Sequence, residues 1–353
     1  MLFGKKHTIG LDIGSSCIKA VELQDRKNGY ELSYFDYMPI PPGIITDGVI
    51  CDREALVSAI RDLFRKSGIK RGTVVVGISG HSSVIIKKVT LPMMTDEELS
   101  TSISYEAEQY IPFDIQDVNI DFQILGPKKG EEEQMEVIIA AVKKNVMQDY
   151  VDAVHTAGFH PSVVDVDSFA MCNTYEANYD TMEHRNIALV NVGASKTNIS
   201  ILHEGTPIFV RDTSIGNNYH VDAFERILKA SREDAERLMR GQVVEGISED
   251  DSRMVMDSAS DEIYAEIYRS FEYFNSSISE EAIGRIMLGG GAALMKDFPE
   301  MMSERIGVPV DVVDPFKNIR VPEKLDKAYI SEMGPLASVA VGLALRRFGD
   351  KND

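Results

Sequence analysis

The chain is poor in cysteine, poor in basic residues relative to acidic ones, and short of apolar runs. Its 3 cysteines, Cys17, Cys51 and Cys172, are an odd number at wide spacing. That excludes a disulfide framework or a cysteine zinc site and fits a reducing compartment. Lys and Arg number 37 against 56 Asp and Glu, for a net charge of −19. Phosphate backbones are gripped by Lys and Arg, so nucleic acid is excluded as the main partner, and no broad basic surface serves an anionic leaflet. No apolar run approaches the roughly 20 residues of a membrane helix. The opening Met-Leu-Phe-Gly-Lys-Lys-His lacks the apolar core of a signal peptide. The expectation is a cytoplasmic protein without direct membrane insertion. The 7 histidines show no metal-ligand spacing. Neither Gly-x4-Gly-Lys-Ser/Thr nor a complete Gly-x-Gly-x-x-Gly occurs, which removes the P-loop and Rossmann readings.

What is present is one turn pattern, twice. Near the start the sequence runs Leu11-Asp12-Ile13-Gly14-Ser15-Ser16-Cys17-Ile18-Lys19, and later Val190-Asn191-Val192-Gly193-Ala194-Ser195-Lys196-Thr197. Asp12 falls on Asn191, Gly14 on Gly193 and Ser16 on Ser195. Each copy is an apolar strand, a short polar residue, a glycine turn and a returning strand. Glycine lets backbone N–H groups approach an anion closely. Two such hairpins facing each other form a clamp for a polyphosphate. In the first, Asp12 can hold Mg2+ through water, Gly14, Ser15 and Ser16 offer donors, and Lys19 reaches a phosphate. In the second, Gly193, Ala194, Ser195 and Thr197 offer donors beside Asn191.

At 353 residues with 44% apolar composition the chain suits two cores. The pattern predicts strands at Tyr30–Met38 and Thr73–Ser79 around a helix at Arg53–Ser67, and the order βββαβ recurs after residue 186. There it gives Ile187–Leu202 as a hairpin, a strand at Thr206–Asp212, helices at Val221–Lys229, Arg232–Met239 and Asp261–Phe274, and a strand at Arg285–Leu288. Gly289, Gly290 and Gly291 follow that strand and suit a nucleoside lying flat on backbone. Residues 82–134 have no counterpart in the second half and read as a β-α-β insert, its helix starting at Thr95-Asp96-Glu97-Glu98. A strand at Val137 is assigned to the first domain. The expected division is 1–81 with 135–185, the insert 82–134, and 186–348. Residues 242–260 read as an exposed loop or solvated helix face. Asp165 and Asp167, ahead of a helix at Ser168, read as capping residues, the cleft between the halves being the other reading. Ser16-x-x-Lys19 also matches a penicillin-binding nucleophile motif, but Ser-Asp-Asn and Lys-Thr-Gly are missing.

Together these motifs resemble the actin and sugar-kinase superfamily. Asp12 to Lys19 resembles its first phosphate motif, Asn191 to Thr197 the second, Gly289-Gly290-Gly291 the adenosine motif, and Gly334 to Gly342 its hinge helix. Within it the insert's run Tyr105-Glu-Ala-Glu-Gln-Tyr-Ile-Pro-Phe113, with Asp117 to Gln123, resembles the PilM family of type IV pilus assembly proteins, relatives of FtsA. The resemblance implies an α/β actin-like (ribonuclease-H-like) fold of duplicated βββαβα domains around a nucleotide cleft. It implies ATP or ADP with Mg2+, held by the clamp residues and the glycine triplet, with Glu225 and Lys229 at the nucleoside edge. It further implies a cytoplasmic place at the inner membrane, the N-terminal cytoplasmic tail of PilN as partner on the insert, other pilus platform and motor proteins, and self-association. The strand Val84–Leu91 offers an edge for the tail. The superfamily's second motif carries Asp where this chain has Asn191, so slow or absent hydrolysis is expected. A small-molecule kinase needs a catalytic carboxylate, and none stands out. An FtsA-like filament protein ends in an amphipathic membrane helix, which Ala-Leu-Arg-Arg-Phe-Gly-Asp-Lys-Asn-Asp does not supply.

Overall fold

The structure, a computed structural model, describes residues 7–347 and 349 apart from 28, 71, 81 and 280. Strands β1 (His7–Ile13), β2 (Cys17–Arg26) and β3 (Gly29–Pro39) form an antiparallel meander, followed by the hairpin β4 (Ile45–Thr46) and β5 (Val49–Ile50). Helix α1 (Arg53–Ser67) leads into β6 (Thr73–Ile78), which lies parallel to β1. Asp52 caps α1 at one end and Gly68, at φ 74°, ends it. Its buried face is Leu56, Val57, Ile60, Leu63 and Phe64, the i, i+4, i+7, i+8 spacing of an amphipathic helix.

Next come β7 (Val84–Pro92), α2 (Asp96–Ala107), β8 (Val118–Lys128) and β9 (Glu131–Lys143). They build a separate three-stranded sheet in the order β7-β9-β8. Thr95 and Glu98 close a capping box on α2. Helix α3 (Lys144–Thr156) then returns to the first sheet, which β10 (His160–Val166) completes as β10-β6-β1-β2-β3. The strand at Val137 therefore belongs to the insert's sheet, and the expected boundary at 134/135 falls inside β9. The alternation of Val137, Ile139 and Ala141 toward the α2 core makes this the strand that joins the other two.

Helix α4 (Asp167–Asn178) leads to β11 (Asn186–Val192), β12 (Thr197–His203) and β13 (Thr206–Thr213), then α5 (Asn218–Leu228), α6 (Arg232–Met239), α7 (Glu249–Ser277), β14 (Arg285–Gly290), α8 (Phe298–Ile306) and β15 (Val310–Val312). The second sheet runs β13-β12-β11-β14-β15, with β14 and β15 parallel to β11. It repeats the first, strand for strand. Each half thus extends the expected βββαβα by one further parallel strand and helix. Helix α7 is one 29-residue rod that takes in most of residues 242–260, so that tract follows the solvated-helix reading and not the loop. Its stripe of Val255, Ala259, Ile263, Ile267 and Phe271 keeps helical spacing, but the first turns are acidic and mask it.

Helices α9 (Lys327–Met333) and α10 (Ser338–Leu345) end the chain, joined by a 3-10 turn. By length and composition Lys327–Leu345 is apolar enough to cross a membrane, which corrects the expectation that no such run exists. Two-thirds of it, 67%, is buried in the fold instead. A Cβ on Gly342 would meet the Ala170 carbonyl oxygen of α4 at 1.7 Å, and one on Gly10 would meet that of Ala340 at 2.0 Å. The last helix therefore lies backbone to backbone on both α4 and β1, which only glycine permits.

His220 on α5 is fully buried, with Nε2 2.9 Å from Ser260 Oγ and its ring edge-on to Phe298. Burial lowers its pKa to about 4. The folded ring stays neutral where the unfolded chain takes up a proton, below about pH 6.5. The stability it supplies is thus complete above that value and is lost as pH falls toward the folded pKa. Urea unfolding at about pH 5 should show roughly 2 kcal/mol less stability than at about pH 7.5 from this residue, and His220→Gln should flatten the slope. An unchanged slope in the variant contradicts this.

Candidate functional site between the two sheets

Both glycine turns fold alike. Gly14 N–H donates to the Cys17 carbonyl at 3.1 Å, and Gly193 N–H to that of Lys196 at 2.9 Å. Strands β1 and β11 each end in one of the two turns, and Ser15 Oγ donates to Ser195 Oγ at 2.8 Å across the gap. Beneath them opens a cavity of about 390 Å3, a size suited to a small ligand. Of the residues singled out by sequence, Asp12, Ser16, Lys19, Asn191, Gly193, Ala194, Gly290 and Gly291 line it.

Asp12 and Lys19 face each other on neighbouring strands, Nζ to Oδ2 at 3.0 Å. Burial raises the pKa of Asp12, and the Lys19 ammonium works against that. For Lys19 burial disfavours the charge, but Asp12 more than offsets it and the ammonium is held above its usual pKa. The pair lies at the cavity wall, where a ligand phosphate or cation can reorganise it. Gly290 is required at the cavity wall: its φ is +83°, and a Cβ there would meet the Val192 carbonyl oxygen at 2.5 Å.

Other expectations change. Thr197 is fully buried and its hydroxyl donates to the Ile215 carbonyl at 2.8 Å, so it holds the turn and does not face the cavity. A Cβ on Gly289 would meet Met171 of α4 and Ser338 of α10, which makes that glycine a packing position. Gly14, Ser15 and Ser195 shape the turns and touch one another without lining the cavity. Glu225 and Lys229 lie outside the lining, Lys229 spending its ammonium on the Arg226 carbonyl at 2.9 Å. Helix α5 stops at Lys229 in the left-handed region, and the chain turns so that α6 presents Arg232 and Glu236 to the cavity, joined by Arg240 just past its end. Arg232 also donates to Asn218 Oδ1 at 2.9 Å. Asn217 was missed as well. Its side chain lines the cavity, and its Oδ1 is buried with no partner among the described residues. Loop residues without a periodic pattern leave no such signal in sequence.

Asp167 does not cap α4. It is buried at the junction of the halves, 3.4 Å from Lys196 Nζ, with Ser79 accepting from Lys196 and donating to Asp167. Asp165 accepts from the Val166 N–H and pairs with Arg346.

A nucleotide fits this set. The glycine cradle at Gly290, the Lys19 ammonium and the Asn217 side chain supply a flat wall, a cation and a polar amide. Among the described residues no three His, Cys, Asp or Glu side chains cluster to hold a metal ion. A Mg2+ here would rest on Asp12 and on ligand oxygens, which is its usual habit beside phosphates.

The model of the family described as type IV pilus assembly protein PilM matches residues 10–348. A solved structure of a PilM-PilN type IV pilus biogenesis complex is 28% identical, covers 96% of this chain and 98% of its own, and superposes with a TM-score of 0.85. The ethanolamine utilization protein EutJ of Carboxydothermus hydrogenoformans is 14% identical over 97% of this chain and 90% of its own, at 0.57. ADP-bound MreB5 of Spiroplasma citri is 12% identical over 98% and 97%, at 0.55. The last two share the fold alone, and the chain has the actin-like α/β architecture.

By calorimetric titration with ATP, Arg232→Ala and Glu236→Ala should each weaken binding about ten-fold, the loss of one charged hydrogen bond. Glu225→Ala and Lys229→Ala should stay within about two-fold. The reverse ranking would move the nucleoside edge back to α5.

Proposed function

This chain belongs to the type IV pilus assembly protein PilM family, and from that we propose that it is an ATP-binding adaptor of the pilus platform at the cytoplasmic face of the inner membrane. The observation that carries the nucleotide part is the meeting of two alike glycine turns over one cavity lined by Asp12, Lys19 and Asn217. In this reading Asp12 holds hydrated Mg2+, Lys19 and the turns hold phosphates, and Arg232, Glu236 and Gly290 hold the nucleoside. Bound Mg2+ supplies charge neutralisation for the phosphates. Asn191 offers no negative charge to orient an attacking water, so ATP stays intact and acts as a structural ligand.

The partner is the cytoplasmic tail of PilN, the protein held by the similar chain in the solved complex. The insert's β7 has one edge unpaired in its sheet, and Val84 to Lys87 line a groove of about 580 Å3 opposite Phe209 to Ile215. An extended tail lying there would bond main chain to main chain. Because β7 and β13 belong to different sheets, the width of that groove follows the angle of the halves, and nucleotide in the cleft sets that angle.

The test is anisotropy titration of a labelled PilN tail peptide against the chain with and without ATP, beside Asp12→Ala. Saturable binding that ATP tightens by about five-fold or more, and that Asp12→Ala leaves at its ATP-free level, is expected from an ordinary coupling free energy. Absence of peptide binding contradicts the adaptor role; equal binding with and without ATP contradicts the coupling.

A further inference from the structure

The two clamp strands carry matching rows of residues across their sheets, and the rows differ in where the charge sits. In the first sheet Asp12 lies opposite Lys19, and Lys19 opposite Tyr37. In the second, Asn191 lies opposite Asn198, and Asn198 opposite Asp212. The carboxylate has moved from the first strand of the row to the third.

The bonds along this row are directional. Asn191 Nδ2 donates to Asn198 Oδ1 at 3.2 Å, and Asn198 Nδ2 donates to Asp212 Oδ1 at 2.7 Å. A carboxylate only accepts, so the amide edge of Asn198 that meets Asp212 must be its NH2. Its carbonyl oxygen then faces residue 191, which must donate. Asn191 can donate and an ionised aspartate cannot. Asn198 is buried, so water cannot repair a mismatch. The other end of Asn191 is its oxygen, which a Cβ on Gly290 would meet at 2.7 Å, at the cavity wall.

Asp212 also reaches the first half: Ser168 Oγ, at the start of α4, donates to the same Oδ1 at 3.4 Å. We propose that Asp212 is a positioning residue of the cleft. Through Asn198 it dictates a neutral amide at 191, which makes the second phosphate turn uncharged toward a metal ion, and through Ser168 it ties that choice to the contact between the halves. The hydrogen-bond relay stands on its own; its consequence for the metal ion rests on the nucleotide reading above.

The decisive set is Asn191→Asp, Asp212→Asn and the two together. The double variant transposes the charge: Asn198 turns over, donates to the new carboxylate and accepts from the new amide, so both bonds of the row survive, and the Ser168 hydroxyl turns to accept from that amide. Asn191→Asp leaves one buried mismatch and should lower the melting temperature by about 3 °C for a chain of this size. Asp212→Asn keeps an oxygen for Asn198 Nδ2 and should cost under about 1 °C. The double should return to within about 1 °C of the parent, a rescue of Asn191→Asp by Asp212→Asn that marks direct coupling. ATP affinity with Mg2+ and with EDTA supplies the second readout. Chelation should weaken the double variant at least about ten-fold more than the parent, because a carboxylate now stands at each turn. Additive melting losses, or an Asn191→Asp chain as stable as the parent, overturn the relay. Restored melting with an unchanged response to EDTA overturns its effect on the metal ion. A parent that binds no ATP at all overturns the nucleotide reading, and with it the metal consequence, while the melting cycle still decides the relay.

Discussion

The contact on which the rest depends is the crossing of α4 and α10, where Gly342 sits on the Ala170 carbonyl and Ala340 sits on Gly10. No side chain fits between these backbones, so the spacing of the two helices is set by van der Waals contact of main chain. Helix α10 rests on β1, whose end carries Asp12, and α4 carries Asp167 and Ser168 at its start. One rigid junction thereby fixes where the first glycine turn points and which polar groups meet between the halves. The mutual approach of Ser15 and Ser195 follows from it.

The halves are alike in topology and unlike in charge. The first turn carries a carboxylate and an ammonium that neutralise each other at 3.0 Å; the second carries two amides, with its carboxylate displaced to Asp212. Burial pushes the Asp212 pKa up, while the nearby Lys196 ammonium and the Asn198 amide favour its charged form. The negative charge is therefore spent where the halves meet and not where a phosphate would lie. Such a site suits holding a nucleotide and the angle between two halves more than splitting a bond.

Much of this was legible in the sequence. The two turns, α1, the Thr95 cap and the matching strand order rest on local rules of periodicity, capping and glycine placement, and they fold as read. What was not legible came from pairing at a distance. Nothing local says that Val137 joins β7 and β8, that α6 and not α5 lines the cavity, or that Asp167 turns from capping to an ion pair with Lys196. The segment Lys327–Leu345 shows the same limit, since its composition passes for a membrane span while its glycine and alanine positions pack against backbone. Asn217 stood in a loop and became visible only as a buried oxygen without a partner.

The central claim is that this cleft holds a nucleotide without consuming it, and a single-turnover measurement tests it most directly. The purified chain is loaded with equimolar labelled Mg·ATP, and bound ATP and ADP are followed over hours. ATP that remains bound and intact is the result this account predicts. Steady conversion to ADP in the bound fraction, or no bound nucleotide at any time, would contradict it.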